Sequence, residues 1–321
     1  MRHALPVLIA LGLAAPCGAE TIFVSNERDN TVTVLDGTSF EIRKVIPTSR
    51  RPRGIITSHD GTRVYVCAGD ADRLDIIDVA TLAVVGQLDS GPDPELMAVD
   101  HAGARIYVAN EDNSMVTVMA TADGARIKEI DVGIEPEGVA VAPDDSLVVT
   151  TSESTGMAHF IDTKSLELVG NTIVGTRPRH AEFQADGRRV WVTSEIGGTV
   201  SVLDAKTYEV VRTIGFGVAG VRPELIQPVG LRFSADDRRA FVALGPSNRV
   251  AVVDTTTFAV TDYILVGERP WHMELSLDGK RLYVANGLTN DMTIIDTESL
   301  TPVRSVPVGR LPWGVAVADA S

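Results

Sequence analysis

From residue 20 onward the chain is a succession of short stretches in which apolar and polar residues alternate. Thr31-Val32-Thr33-Val34-Leu35-Asp36 and Thr199-Val200-Ser201-Val202-Leu203-Asp204 are two of them. A period of two puts successive side chains on opposite faces of an extended strand. Turn pairs such as Asp60-Gly61, Asp186-Gly187 and Asp278-Gly279 separate the stretches, as expected between antiparallel strands. Long stretches with helical periodicity are missing from the sequence.

The strands recur in register. An aspartate closes an alternating strand at Asp36, Asp78, Asp162, Asp204, Asp254 and Asp296, with Ala120 at the remaining position. A proline opens a strand at Pro52, Pro94, Pro136, Pro178, Pro228, Pro270 and Pro312. Both series advance by 42 residues, and both contain one step of 50 at the same place. Two markers that agree on one eight-residue insertion define a true repeat.

Each repeat reads as four strands; one runs through Gly138–Val141, Leu147–Thr150, Met157–Asp162 and Leu166–Ile173. A four-stranded unit cannot bury both of its own faces, so the array must close on itself. Radial closure makes the fold class all-β, a seven-bladed β-propeller with four antiparallel strands per blade. Seven units with the insertion account for residues 20–321 as one domain. The sequence after residue 19 starts on a second strand and ends on a first, Trp313–Val317. One blade is therefore expected to take strands from both termini.

Residues 1–19 read as a separate export segment. Arg2 supplies a positive start, Leu5–Ala15 an apolar run, and Pro16-Cys17-Gly18-Ala19 small residues before a cleavage point ahead of Glu20. The run is too short for a membrane span, and the expected location is the periplasm. Cys67 then remains alone, so packing rather than a disulfide must hold the fold. It lies in a strand and is expected to be a buried small hydrophobe.

Ile106-Tyr107-Val108-Ala109-Asn110 and Leu282-Tyr283-Val284-Ala285-Asn286, with their Thr-Val-Thr-Val-Leu-Asp continuations, resemble the YVTN-type propeller repeat. Thr193-Ser194 and Ala243-Leu244 depart from its Ala-Asn pair. An exported chain with seven such repeats is more narrowly similar to the periplasmic propellers associated with PQQ-dependent alcohol catabolism. That resemblance implies a partner such as a quinoprotein dehydrogenase, a cytochrome or a transporter component. No cofactor motif accompanies it, and nothing in the sequence speaks for contact with PQQ itself.

A formal net charge of −14 excludes a nucleic-acid role, which needs a basic surface. The residues following the marker prolines are Arg53, Glu95, Glu137, Arg179, Val229, Trp271 and Trp313. They are expected to ring the mouth of the central channel, where two tryptophans and four charges could bind a small planar ligand or anchor a protein, or equally pack on one another as a rim. One position further the repeats carry Gly or a small apolar residue, except for His180 and His272. Two positions beyond, Glu182, Arg232 and Glu274 stand where other repeats have Ile56, Ala98, Ala140 and Ala316.

Three successive repeats thus converge on one sector of the channel wall, and the insertion, residues 215–227, is expected over that sector. His180, Glu182, His272 and Glu274 are a reasonable donor set for a divalent transition metal. Alternatively Arg232 neutralises both carboxylates in a satisfied buried network; an arginine between the carboxylates favours this. His59 and His101 read as solvent-facing turn residues, His159 as structural, and Asp144-Asp145 as a turn. Three functions follow. The leading expectation is a non-catalytic periplasmic binding or accessory protein. The others are a metal-assisted, lactonase-like hydrolase with its site at the channel mouth, and a structural or cell-surface interaction module.

Overall fold

The computed structural model describes residues 20–319; the expected export segment lies outside the described residues. Seven four-stranded antiparallel sheets form the blades of a propeller. Blade 1 combines Pro312–Asp319 with Glu20–Asn26, Thr31–Asp36 and Ile42–Pro47. Its closing register pairs Thr21 with Ala318 and Val24 with Val315. Blades 2 to 7 open on the strands Pro52–Thr57, Pro94–Val99, Pro136–Val141, Pro178–Phe183, Leu231–Phe233 and Pro270–Leu275, which line the central channel.

Each apolar cluster spans two blades. Phe23, Val32 and Val34 of blade 1 pack with Val64, Val66 and Ile77 of blade 2. Trp191 of blade 5 packs with Leu231 and Val242 of blade 6 and meets Phe233 edge-on at 5.4 Å. Alternating strands bury both faces only because a neighbour stands on each side.

The repeat markers have local causes. The Asp36 carboxylate accepts the backbone N–H groups of Thr38 and Ser39 at 3.0 and 2.8 Å, capping the turn into the fourth strand. Asp162, Asp204 and Asp254 do the same. Four residues after each, the chain takes a left-handed conformation at Phe40, Leu166, Tyr208 and Phe258. Where Ala120 removes the cap, that position is Gly124, at φ 72°, where the left-handed turn carries no steric cost.

Glycine follows the post-proline residue for a different reason. A Cβ on Gly54 would stand 2.4 Å from the Glu95 carbonyl oxygen, and one on Gly230 would stand 2.5 Å from that of Trp271. Inner strands approach that closely near the axis.

The insertion stands over the sector expected for it, at the end of the channel where the marker prolines lie. Residues 215–227 pack on blade 6: Ile226 enters the Trp191 cluster, with Phe216, Val218 and Val221 against it. Gly217 N–H donates to the Tyr263 hydroxyl at 2.9 Å. Gln227 Oε1 accepts from Arg269 at 2.8 Å. The insertion shortens the first strand of blade 6 to Leu231–Phe233.

Candidate functional site

The six charged and aromatic post-proline residues form a belt across one end of the channel. Glu95 accepts from Arg51 Nη2 and Arg53 Nη1, both at 2.6 Å. Arg179 pairs with Glu137 at 3.1 Å and with Glu153. Arg269 reaches Glu195 at 2.6 Å. Trp271 lies under the guanidinium of Arg269, 4.3 Å from its ring centroid, with that of Arg179 at 5.6 Å. Trp313 packs on His272 at 4.1 Å. Glu95, Glu137, Arg179 and Trp313 are buried, while Arg53 and Trp271 are half-buried. These side chains are turned on one another rather than toward an open mouth.

Burial raises the Glu137 carboxyl well above its usual range, against the pull of Arg179. Burial works the same way on Glu95, but Arg53 and Arg51 outweigh it and hold that carboxyl below its ordinary value.

Asp93, Glu95 and Glu111 gather at the edge of this belt, and among the described residues they are the set of three or more donors that could share a metal ion. Arg51 already occupies the set, bonded to Asp93 and Glu95. Partial burial and the facing carboxylates of Glu95 and Asp93 push Glu111 up from 4.5 to about 8. Between those values native Glu111 keeps a proton that the unfolded chain releases, so its contribution to stability falls as pH rises through that window. Glu111→Gln is expected to remove this decline. Relative to the parent protein it should gain about 1–2 kcal/mol between pH 5 and pH 9, after allowance for partial solvent access. Urea midpoints at the two pH values measure it, and parallel pH slopes for both proteins would contradict it.

Past the belt the channel opens into a cavity of about 760 Å³. One side is formed by His180 and Glu182 of blade 5, Arg232 of blade 6, and His272 and Glu274 of blade 7. Adjacent first strands at equivalent register bring these residues together: Glu182 lies opposite Trp191, Arg232 opposite Phe241 and Glu274 opposite Tyr283. Arg232 Nη1 donates to Glu182 Oε2 at 2.9 Å. Its Nε and Nη2 donate to Glu274 Oε2 at 3.1 and 2.7 Å. Of the five guanidinium N–H groups, two have no protein acceptor in this set.

His180 Nε2 stands 3.4 Å from Glu182 Oε2, and the two imidazole rings are 5.3 Å apart. His180 and His272 are more than nine-tenths buried. His180 Nδ1 and His272 Nε2 have no hydrogen-bond partner among the described residues. Burial, joined by the nearby cationic groups, drives His272 well below its usual range and keeps it neutral. Burial alone would raise Glu182, but Arg232 and His180 overcome it and hold the carboxyl ionised.

His180, Glu182, His272 and Glu274 do not converge on a common point as Asp93, Glu95 and Glu111 do, and a guanidinium fills the space between their carboxylates. The donor set does not fit a metal ion.

The cavity opens at the opposite face from the insertion, among the turns joining first and second strands. His59 and His101 line that opening, stacked 5.6 Å apart, with His101 Nδ1 2.9 Å from Asp145 Oδ1. Their equivalent places in successive repeats were the signal that could have marked them as a pair. His159 is structural: its Nε2 accepts from Gly133 N–H at 3.1 Å, and its Nδ1 lies 2.6 Å from Asn171 Oδ1. Cys67 is buried, which pushes its thiol well up. Among the described residues no helix is long and apolar enough to cross a membrane.

The model of the family described as "Lactonase, 7-bladed beta-propeller" matches residues 161–304, a span that contains every residue of the His–Glu–Arg sector. A comparison with curated proteins found no match. Among solved structures, a Bacteroides fragilis protein provisionally assigned as a 6-phosphogluconolactonase superposes with a TM-score of 0.80 at 20% identity, covering 96% of this chain and 100% of that one. A periplasmic gluconolactonase from Pseudomonas aeruginosa gives 0.79 at 18% identity, covering 94% and 100%. Hydrazine synthase from Kuenenia stuttgartiensis gives 0.78 at 20% identity, covering 86% and 92%. Likeness at this level concerns the fold, which hosts unrelated activities.

The lactonase match corrects the leading functional expectation. It stands against a non-catalytic binding or accessory protein and turns the reading toward a hydrolase.

Proposed function

We propose that this protein hydrolyses a lactone in the channel cavity. The observation that carries the proposal is the meeting of the Glu182–His180 pair, Arg232 and His272 on one wall of that cavity, within the segment matched to the lactonase family. The gluconolactonase names of two structural neighbours support the reaction class. The N-terminal segment supports an exported location.

The chemistry needs no metal. Glu182, held ionised beside Arg232, orients the His180 ring through Nε2 and leaves Nδ1 without a partner. That nitrogen is closed to the cavity in this structure, so a shift of the side chains packed on it must open it before it accepts a proton from water. The water oxygen attacks the lactone carbonyl carbon as that proton moves to His180. Negative charge forms on the former carbonyl oxygen, where the two remaining N–H groups of Arg232 can receive it. The ring C–O bond then breaks, and the departing alkoxide takes the proton back from His180. The product is a hydroxy acid that loses its acidic proton to solvent. His272, kept neutral, adds a polar nitrogen on the same wall without a competing charge.

Titration of acid release from a panel of lactones, carried out on the purified chain, tests the proposal. Turnover above the spontaneous rate supports it. Failure on every ring size and substituent would overturn it.

A further inference from the structure

The walls of the cavity are sharply unequal. At one level of the channel the seven equivalent first-strand residues are Glu182, Arg232 and Glu274 on three adjacent blades, and Ile56, Ala98, Ala140 and Ala316 on the other four. The apolar side continues toward the opening through Val99, Val141 and Val317. Among the described lining residues Arg232 is the one lysine or arginine, and both flanking carboxylates already bind it. The polar sector therefore holds two carboxylates against one guanidinium, with His272 uncharged.

A phosphorylated or carboxylated ligand would enter without a free cation to meet it and would face two like charges. A polyhydroxylated ring would leave hydroxyl groups unpaired against the apolar wall. An alkyl chain instead gains from every methylene removed from water.

We infer that the substrate is an uncharged lactone carrying an apolar chain: the ring lies at His180 and Arg232, and the chain lies against Ala98, Ala140 and Val141. This inference rests on the proposed hydrolysis and names its substrate class. It parts from the phosphorylated sugar lactone named for a structural neighbour.

The test compares γ-butyrolactone, γ-octalactone and γ-dodecalactone with glucono-δ-lactone and its 6-phosphate. Calorimetric binding of the γ-lactams of matching chain length runs in parallel. The expected result is a kcat/KM that rises about fourfold for each added methylene until the chain fills the cavity, with the 6-phosphate the poorest substrate. Ala98→Phe is expected to lower turnover of the dodecalactone at least tenfold and that of butyrolactone much less. Ala98→Leu gives a smaller loss in the same direction, should the larger side chain disturb folding.

Equal or faster hydrolysis of the 6-phosphate, or rates indifferent to chain length, would overturn the substrate class while leaving hydrolysis intact. No turnover of any lactone, together with lactam affinity that grows with chain length and falls in the Ala98 variants, would overturn hydrolysis but uphold the apolar ligand. Lactam affinity indifferent to chain length would overturn the inference whatever the turnover.

Discussion

Replacing His180 with alanine is expected to lower kcat for lactone hydrolysis by about 10²–10⁴-fold, the usual worth of a positioned general base, with little change in KM. The ring is more than nine-tenths buried and sits 3.4 Å from Glu182, so removing it leaves the Glu182–Arg232 pair in place. Glu182 then still has the Arg232 donor at 2.9 Å, and the fold should survive. Thermal melts of variant and parent check that point. The truncation also vacates a space of imidazole size on the cavity wall. Added imidazole should restore part of the lost rate, an effect that a purely structural histidine would not produce. Unchanged kcat in a folded His180→Ala protein would remove His180 from the mechanism.

Ending the chain after Leu311 is expected to abolish cooperative folding. The deleted segment includes Pro312–Asp319, buried along all but its last residue. It supplies the innermost strand of blade 1, pairs with Glu20–Asn26, and places Val315 and Val317 in the core shared with blade 7. Thr57 of blade 2 also donates to its Val317 carbonyl at 2.9 Å. Burial of Trp313, Val315 and Val317 is worth about 1.5–3 kcal/mol each, against a net stability of about 5–15 kcal/mol. Losing the strand also leaves the Glu20–Asn26 strand as an unpaired edge and uncovers the apolar faces of blades 2 and 7. Calorimetry of the truncated chain should show no cooperative transition. A melt resembling that of the full chain would mean that the ring tolerates an open blade, contrary to the closure argument. Val315→Asp offers a milder test, with folded yield expected to fall sharply.

The architecture was legible because its causes are local and repeated. An aspartate caps one turn and a proline opens one strand, and the same short-range chemistry recurs wherever those residues stand. Ala120 looked like drift, yet Gly124 supplies the left-handed residue that the turn requires. The convergence of Glu182, Arg232 and Glu274 was legible for the same reason, since equal positions in a closed repeat share one level around the axis. The six post-proline residues were correctly placed in sequence register, but nothing in that register says whether a charge faces solvent or a neighbouring blade.

The sequence by itself determined the number of blades, the strand pattern within each and the joining of the two ends, since period and length admit little else. Only the tertiary structure decided which end of the channel is closed and which is open. That choice depends on side-chain reach across blades: Arg53 and Arg179 span to Glu95 and Glu137 and fill one end, while the alanines and valines of four inner strands leave the other hollow. It also brought His59 and His101 to the entrance, at the end of the channel away from the insertion. A linear pattern fixes the level of a residue along its strand. The direction and distance at which it meets another blade are set by closure of the ring.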